Sequence, residues 1–197
     1  MTQPSTAAGR SAHPVAGVVL AAGAGRRFGR PKALVELDGE RLVDRAVRLL
    51  QTGGCDPVIV VSGAAPLVVD GALVVENADW QTGMGSSLRR GLAAVPQGCE
   101  AAVIALVDQP YVGSEAVRRL ISAYQAGATA AVVTYSGRRR NPVLLARSTW
   151  EDVGALAYGD VGARRYLEAH RGDVVEVPGE GTGDPRDIDT PADLPRA

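Results

Sequence analysis

A glycine-rich segment, LAAGAGRRFGRPK at residues 20–32, directly follows an aliphatic run, VAGVV at residues 15–19. The β-branched and aliphatic run predicts a strand buried on both faces, as in a parallel sheet. Gly23, Gly25 and Gly29 leave the following turn free of Cβ atoms, so several N–H groups can converge on one anion. Positive charges stand beside these glycines, at Arg26, Arg27, Arg30 and Lys32. The segment therefore predicts a polyphosphate-binding loop at a strand end, and a solvated surface loop is the alternative.

The same glycines form a loose G-x-G-x-x-x-G pattern, which raises the alternative of a dinucleotide cofactor. A dinucleotide fingerprint opens a helix within its glycines and has an acidic residue about 20 residues further on, which binds a ribose. Here Pro31 interrupts the segment, and the first helical pattern begins only near Leu42. The next predicted strand ends in Ser62 and Gly63 instead of an acidic residue. These features disfavour an NAD(P)-dependent enzyme.

The composition is that of an ordinary globular domain. The chain has 197 residues, of which 46% are hydrophobic and 22% charged, with a formal net charge of −1. One domain of this size can bury a full core, and it has no bulk attraction for nucleic acid or for an anionic membrane. No apolar run approaches the roughly 20 residues of a membrane span. Residues 1–14 are polar and have no apolar signal core, so we expect a disordered leader over 1–14, one domain over 15–197 and a cytoplasmic location.

Cysteine and histidine are scarce. The two cysteines, Cys55 and Cys99, lie far apart beside predicted strand starts and are expected to be reduced, semi-buried thiols. The two histidines, His13 and His170, are also far apart in sequence. The sequence therefore disfavours a histidine-based triad or zinc site.

Apolar runs of strand length alternate with helix-period segments along most of the chain, a pattern typical of an α/β fold with a largely parallel sheet. Strands are expected at residues 15–21, 57–61, 72–75, 101–106, 130–135, 142–145 and 174–177. Helical stripes begin near Leu42, Leu88 and Val117. Capping signals predict further helix starts at Ser114, Ser148, Asp160 and Thr190.

Acidic residues stand at two places that suit a metal. Asp108 follows an aliphatic run and precedes Gln109-Pro110, so we expect it where a strand emerges from the sheet, the edge at which open α/β sheets bind ligands. In DIDTP, residues 187–191, an extended backbone would place Asp187 and Asp189 on one face. These carboxylates predict a Mg²⁺ site, because Mg²⁺ needs few protein ligands beside water and phosphate oxygens. The alternatives are a turn aspartate at Asp108, a solvated charge at Asp187 and a helix cap at Asp189.

Two further polar segments stand at predicted helix starts. The first begins NADWQTGMGSS at residue 77 and contains Ser86 and Ser87. These hydroxyls are candidates to bind a phosphate or ribose oxygen together with the first N–H groups of the helix, and ordinary N-capping is the alternative. Trp80 is expected to serve packing. The second segment, YGDVGARR from Tyr158, offers two glycines, an aspartate and two arginines to a second substrate.

The order of these motifs resembles the nucleotidyltransferases of molybdenum-cofactor biosynthesis, within the superfamily of the nucleotide-sugar pyrophosphorylases. The resemblance runs from Val15 to Leu194 and covers the LAAG loop through Pro31-Lys32, Asn77 with GMGSSL, Asp108-Gln109-Pro110, GDVGAR and DIDTPADL. The LAAG form, with Asp-Gln-Pro and GMGSSL, is closer to the cytidylyl-transferring branch than to the guanylyl-transferring one. Phe28 replaces the usual methionine of the loop. Asn141 replaces the histidine of a Gly-His-Pro motif, which leaves the identity of the acceptor open.

The resemblance implies a single Rossmann-like nucleotidyltransferase domain with a mixed, mostly parallel sheet flanked by helices. It implies transfer of CMP from CTP to the phosphate of molybdopterin, with Mg²⁺ as cofactor, release of pyrophosphate and contact with a molybdoenzyme or its chaperone. A sugar phosphate or other phospho-acceptor, GTP as the donor, and a non-catalytic nucleotide-binding or cofactor-carrier protein are the alternatives. Because a phosphate nucleophile is already ionised near neutral pH, no general base is required.

On this hypothesis the site residues fall into four groups. Arg27, Lys32 and Asp108 are catalytic, and the two cations offset charge on the leaving pyrophosphate. The metal is held by Asp108 and Asp189, with Asp187 as the alternative. The nucleotide contacts Arg27, Lys32, Asp108, Leu20, Ala21, Ala22, Gly23, Ala24, Gly25, Gly63, Asn77, Ser86 and Ser87. The acceptor contacts Asn141, Gly159, Asp160, Gly162 and Arg164. Arg26 and Arg30 are expected to be surface charges.

Overall fold

The structure, a computed structural model, describes residues 14–195. The leader expected over residues 1–14 lies outside the described residues except for Pro14. The strands are β1 (Val15–Leu20), β2 (Glu36–Leu37), β3 (Glu40–Arg41), β4 (Val58–Ser62), β5 (Leu73–Glu76), β6 (Ala101–Leu106), β7 (Ala130–Tyr135), β8 (Arg138–Ala146) and β9 (Val174–Pro178). The helices are α1 (Leu42–Thr52), α2 (Met84–Ala94), α3 (Ser114–Gln125), α4 (Trp150–Leu156) and α5 (Arg164–Ala169).

Seven strands form one mixed sheet in the order β5-β4-β1-β6-β8-β7-β9. β1 pairs in parallel with β4 and β6, and β4 pairs in parallel with β5. β8 runs antiparallel to its neighbours β6 and β7, while β7 and β9 are parallel. The predicted mixed, mostly parallel sheet is confirmed. Because β1, β4 and β6 run together, the loops that follow them meet at one edge of the sheet.

Helices cover both faces of this sheet, because each buried strand presents apolar side chains alternately to the two sides. On one face, α1 and α3 pack side chains such as Val47 and Leu120 against Val19 and its neighbours. On the other face, α2 and α4 pack Leu88 and Val153 against strand residues such as Val18. Each such side chain contributes about 1.5–3 kcal/mol when fully buried. Within the described part of the chain, no helix is both long and apolar enough to cross a membrane.

Three predicted capping signals, at Ser114, Ser148 and Asp160, do not cap the expected helix starts, whereas Thr190 forms a capping box with Asp193. α3 begins at Ser114, but Gly113 is the residue before it and no side chain caps this end. α4 begins at Trp150 behind a 3₁₀ turn, Arg147–Thr149, instead of at a Ser148 cap. Asp160 lies in a separate 3₁₀ turn, because Gly162, with φ +51°, interrupts the helical path before α5. The last predicted helix is a 3₁₀ turn, Pro191–Asp193, and its Thr190 N–H donates to Asp193 at 2.7 Å.

Candidate active site

A cleft of about 390 Å³ lies at the edge of the sheet where β1 and β6 end. The glycine-rich loop, the start of α2 and the residues after β6 surround it. The lining comprises Leu20, Ala22, Gly23, Ala24, Gly25, Arg26, Arg27, Lys32, Trp80, Gln81, Gly83, Met84, Ser87, Leu106, Val107, Asp108 and Asp160. Most of the residues predicted to bind the nucleotide therefore surround one opening. Ala21 is buried in the core beneath the loop.

The loop is held as a tight turn by its own backbone. The Gly25 carbonyl accepts hydrogen bonds from the N–H groups of Phe28 at 2.8 Å and Gly29 at 2.9 Å. Gly25 has a φ of +61°, and a Cβ on it would overlap the Arg30 carbonyl oxygen. Gly23, in contrast, has no neighbouring atom within 4 Å of its Cβ position. The loop therefore leaves open backbone toward the cleft, as an anion-binding turn requires.

Opposite charges meet in this cleft. Lys32 Nζ donates to Asp108 Oδ2 at 2.9 Å and to Asp189 Oδ1 at 2.7 Å. Arg27 Nη2 donates to the same Asp189 oxygen at 3.0 Å. Lys32 begins the 3₁₀ turn that follows Pro31, Asp108 follows β6, and Asp189 belongs to the C-terminal segment. The fold thus joins three distant motifs in one cluster, and the Lys32 side chain is only 14% exposed.

Both members of the central ion pair are held in their charged forms. Burial lowers the pKa of Lys32, but its hydrogen bonds with Asp189 and Asp108 more than offset this, so the pKa lies above its ordinary value. The hydrogen bond from Lys32 lowers the pKa of Asp189. A cation and a carboxylate are therefore both present at neutral pH.

Asp187 and Asp189 differ in their surroundings. Asp187 Oδ1 accepts a hydrogen bond from Gln109 Nε2 at 2.8 Å, whereas Asp189 contacts Lys32. Burial raises the pKa of Asp187, and the bond from Gln109 offsets only part of that rise. Ile188 between them is fully buried, and its N–H donates to the Asp108 carbonyl at 2.8 Å. The structure therefore brings Asp189, and not Asp187, into contact with Lys32.

The donor set at this point fits a hard divalent cation. Among residues 14–195 no cluster of three or more histidine, cysteine, aspartate or glutamate side chains could hold a metal. Asp108 and Asp189 nevertheless both lie within hydrogen-bond distance of Lys32 Nζ, so their carboxylates converge on one positive charge. Mg²⁺ is commonly held by one or two carboxylates with water and substrate phosphates. Two carboxylates beside the glycine-rich loop meet the protein's part of that requirement.

The residues at the start of α2 are bound to one another. Asn77 Nδ2 donates to Ser86 Oγ at 2.9 Å and to Ser87 Oγ at 3.1 Å. Ser86 donates to the carbonyls of Asp79 and Gly83, so its hydroxyl is occupied, whereas Ser87 lines the cleft. Asn77 thus ties β5 to α2.

Gly63 lets an aromatic ring approach the loop. A Cβ at Gly63 would lie 2.7 Å from Trp80 and 2.8 Å from Ala22. Trp80 consequently packs beside the loop and also lines the cleft.

The turn predicted to bind the acceptor lies against the start of α2. Asp160 Oδ1 accepts a hydrogen bond from the Met84 N–H at 3.4 Å and lines the cleft. A Cβ at Gly83 would overlap the Gly159 backbone, and one at Gly162 would lie 3.0 Å from Met84 Sδ. Gly159, Asp160 and Gly162 are therefore adjacent to the predicted nucleotide site.

Neither Arg164 nor Asn141 is among the residues that line the cleft. Arg164 is exposed and pairs with Glu168 at 2.8 Å on α5. Asn141 lies in a bulge of β8, where Val132 pairs with Val143 but Val133 pairs with Arg140. Val143, at one side of the bulge, pairs with Ile104 of β6. Because β6 and β8 are antiparallel, Asn141 lies toward the end of β6, where Leu106 lines the cleft.

Several residues of the cleft were not predicted from the sequence. Gln81 and Met84 line it, as does Arg26, which was expected to be a surface charge, and Trp80, which was expected to serve packing. Gln109 is buried and donates a hydrogen bond to Asp187, a contact that was not predicted from the sequence. Its place beside Asp108 in the Asp-Gln-Pro motif was the available signal.

Comparisons with known proteins agree with this geometry. The family model described as the MobA-like NTP transferase domain matches residues 17–174. A "Nicotine blue oxidoreductase" of Paenarthrobacter nicotinovorans is 36% identical over 192 residues, covering 89% of this chain and 92% of the relative. A "Molybdenum cofactor guanylyltransferase" of Rhodobacter capsulatus is 33% identical over 189 residues, covering 93% and 94%.

A solved structure shows the same fold. The crystal structure of Rv0371c of Mycobacterium tuberculosis, in complex with manganese, superposes with a TM-score of 0.76 at 29% identity, covering 91% of this chain and 95% of that one. The family model spans most of the described domain, including the glycine-rich loop, Lys32 and Asp108. The chain belongs to the MobA-like NTP transferase family of nucleotidyltransferases.

Proposed function

We propose that this chain is a cytoplasmic enzyme that transfers CMP from CTP to the phosphate of molybdopterin and releases pyrophosphate. The observation that carries the proposal is the contact of Lys32 with both Asp108 and Asp189, in a cleft lined by the glycine-rich loop. Nucleotidyl transfer asks a protein mainly to position reactants and to neutralise phosphate charge. A loop of open backbone, a buried cation and two carboxylates supply these functions at one place.

Each group in the cleft has a role in this reaction. The loop backbone around Gly23 binds the base and phosphates of the triphosphate. Lys32 and Arg27 stabilise the charge that grows on the leaving pyrophosphate. Asp108 and Asp189 are the residues that would hold Mg²⁺, and the metal would supply Lewis-acid polarisation and charge neutralisation to the phosphates. The acceptor phosphate is already ionised near neutral pH, so it attacks without a general base.

The donor and the acceptor rest on separate arguments. CTP is favoured by the LAAG loop, by Asp108-Gln109-Pro110 and by GMGSSL, although the relative from Rhodobacter capsulatus has a guanylyltransferase name. Molybdopterin as the acceptor rests on the resemblance to the family, and the turn that carries Asp160 lies beside the start of α2, where it could contact a second substrate. Transfer of the product to a molybdoenzyme or its chaperone is part of the same proposal.

The reaction is tested by measuring pyrophosphate release from CTP, GTP, ATP and UTP, each with molybdopterin or a sugar phosphate and with Mg²⁺ or Mn²⁺. We expect the fastest release from CTP with molybdopterin, and release at least about 10²-fold slower from the Asp108→Asn variant. Arg30→Met, a change at an exposed arginine of the same loop, is the matched control and is expected to keep the wild-type rate. Turnover with GTP alone would overturn the proposed donor, and turnover with a sugar phosphate alone would overturn the proposed acceptor. If no pair of donor and acceptor releases pyrophosphate, the proposed reaction itself is wrong.

The oxidoreductase name of the relative from Paenarthrobacter nicotinovorans supplies a second hypothesis, hydride transfer from NADH or NADPH. A thermal-shift titration separates the two, because a ligand that binds only the folded state stabilises it by RT ln(1 + [L]/Kd). We expect CTP with Mg²⁺ to raise Tm and NADH and NADPH to leave it unchanged. A rise with a dinucleotide and none with any triphosphate would favour hydride transfer.

A further inference from the structure

Gln109 contacts the segment that carries the C-terminal carboxylates. It directly follows Asp108, and its residue is 7% exposed. Its Nε2 lies 2.8 Å from Asp187 Oδ1 and 3.3 Å from the Pro185 carbonyl oxygen. Both partners are acceptors, so an amide suits this position, whereas a carboxylate would face a second carboxylate. One buried amide therefore holds two points of a segment that is distant in sequence.

The backbone beside Asp108 holds the same segment at the next residue. The Ile188 N–H donates to the Asp108 carbonyl at 2.8 Å, and the Ile188 side chain is fully buried. The Asp189 N–H donates to Asp193 at 3.0 Å. The chain is therefore fixed on both sides of Ile188, and Asp189 extends from it to Lys32. The carboxylate that reaches Lys32 has its position set by contacts made one and two residues earlier.

The contacts of Asp187 are those of a residue that holds its segment in place. Its Oδ1 is occupied by the amide of Gln109. The side-chain hydrogen bonds of Lys32 go to Asp108 and Asp189 instead. A neutral acceptor at position 187 would satisfy Gln109 equally well, since Gln109 donates through one N–H. The contact needs an oxygen at this position and does not need a charge.

We propose that Gln109 and Asp187 are positioning residues that hold Asp189 against Lys32 and Asp108, and that Asp187 acts by accepting this hydrogen bond and not by holding a metal. The expected effect on metal affinity and on rate rests on the proposed function, whereas the positioning of residues 185–190 by Gln109 does not. Groups that orient a metal-binding residue typically change metal affinity or activity by 10–100-fold when they are removed.

The experiment exchanges the donor and the acceptor. Gln109→Glu places two carboxylates against each other, and the double variant Gln109→Glu/Asp187→Asn restores a donor and an acceptor with reversed direction. Asp187→Asn alone keeps an acceptor oxygen without the charge. Asp184→Asn, at an exposed acid of the same segment, is the matched control. The readouts are kcat, the Mn²⁺ concentration at half-maximal rate, and hydrogen exchange of the peptide covering residues 185–190 in the metal-free protein.

We expect Gln109→Glu to require about 10–100-fold more Mn²⁺ and to exchange faster at residues 185–190, with the strands of the sheet unchanged. The double variant should recover about tenfold of that loss, since one hydrogen bond to a charged group is regained. Asp187→Asn should stay within about threefold of the wild type, far above Asp189→Asn. If Gln109→Glu is not obtained folded, Gln109→Ala removes the donor without adding charge and carries the same expectations.

Two results would overturn the proposed positioning role of Gln109 and Asp187. If Asp187→Asn loses as much Mn²⁺ response as Asp189→Asn, then Asp187 holds the metal. If Gln109→Glu lowers only Tm, with wild-type Mn²⁺ response and exchange, then Gln109 has a general structural role. Failure of the wild type to transfer any nucleotide would refute the proposed function alone, and the exchange of residues 185–190 would still decide the positioning role.

Discussion

Replacing Lys32 by methionine keeps the unbranched apolar stem of the side chain and removes a cation that contacts both Asp108 and Asp189. The structure sets the size of the effect. Lys32 is 14% exposed, and the two carboxylates are 24% and 35% exposed. Breaking a buried ion pair costs about 3–5 kcal/mol, and an exposed pair contributes about 0–1 kcal/mol. Since these groups are intermediate, we expect a loss of about 1–2 kcal/mol.

This loss has a defined dependence on pH. The lowered pKa of Asp189 means that its share of the stability is present above pH 3.8 and is lost as the pH falls through the folded-state pKa. The raised pKa of Lys32 means that its share is complete below pH 10.5 and is lost as the pH rises through the folded-state value. The difference in free energy of unfolding between wild type and Lys32→Met should therefore be constant around neutrality and shrink at both extremes.

The same substitution should affect the reaction more than the fold. Loss of one preorganised group that stabilises transition-state charge typically costs about 10²–10³ in kcat. A drop of 1–2 kcal/mol lowers Tm by about 2–8 °C in a domain of this size, so the variant remains folded. Pyrophosphate release, denaturant unfolding at several pH values and a triphosphate titration measure the three quantities. Arg30→Met serves as the control for lost positive charge in the loop. A rate within threefold of wild type, or a stability difference that does not change with pH, would refute this account of the cluster.

Three further outcomes follow from the geometry. Asp108→Asn should lower the metal-dependent rate at least about 10²-fold and lower Tm by less than Lys32→Met does, because Lys32 keeps its bond to Asp189. A rate above a tenth of wild type would contradict a metal-binding role. Gly25→Ala should destabilise by about 1–3 kcal/mol in urea unfolding, because φ is +61° and the Cβ would overlap a carbonyl, whereas Gly29→Ala, with φ +82° and open space, should cost about 1 kcal/mol. Asp187→Asn should be more stable than wild type at neutral pH, because burial raises the Asp187 pKa and penalises its charged form. Urea unfolding at several pH values should show this gain in stability disappearing as the pH falls toward 3.8. A gain that persists at that pH would contradict this cause.

Local sequence patterns were enough to predict the parallel half of the fold. The runs that became β1, β4 and β6 are short, aliphatic and bounded by turns, and such strands are buried wherever they pair. Because parallel strands end at one edge, the loop after β1 and Asp108 after β6 could be expected near each other. Both lie in the same cleft. Position along a buried strand thus carried most of the information about the site.

Contacts between distant segments decided what the patterns left open. β8 begins at Arg138, four residues before its predicted start, because its polar first half pairs with β7 across a bulge. Asp160 accepts a hydrogen bond from Met84 in α2, so its capping signal served a different helix from the predicted one. Asp189, and not Asp187, contacts Lys32, because Gln109 binds Asp187 and the Ile188 side chain between them is buried. A single sequence contains no local signal for such pairings.

Overall identity to relatives does not choose the chemistry of this chain. A relative at 36% identity carries an oxidoreductase name and one at 33% a guanylyltransferase name, although the family model describes NTP transferases. Function depends on the site grafted on a fold more than on the fold itself. Hydride transfer has no evident use for two carboxylates that share a part-buried lysine, because the charge to be stabilised is on a nicotinamide. Phosphoryl groups require both a cation and a metal ligand beside the backbone of an open loop, so Lys32, Asp108 and Asp189 favour nucleotidyl transfer.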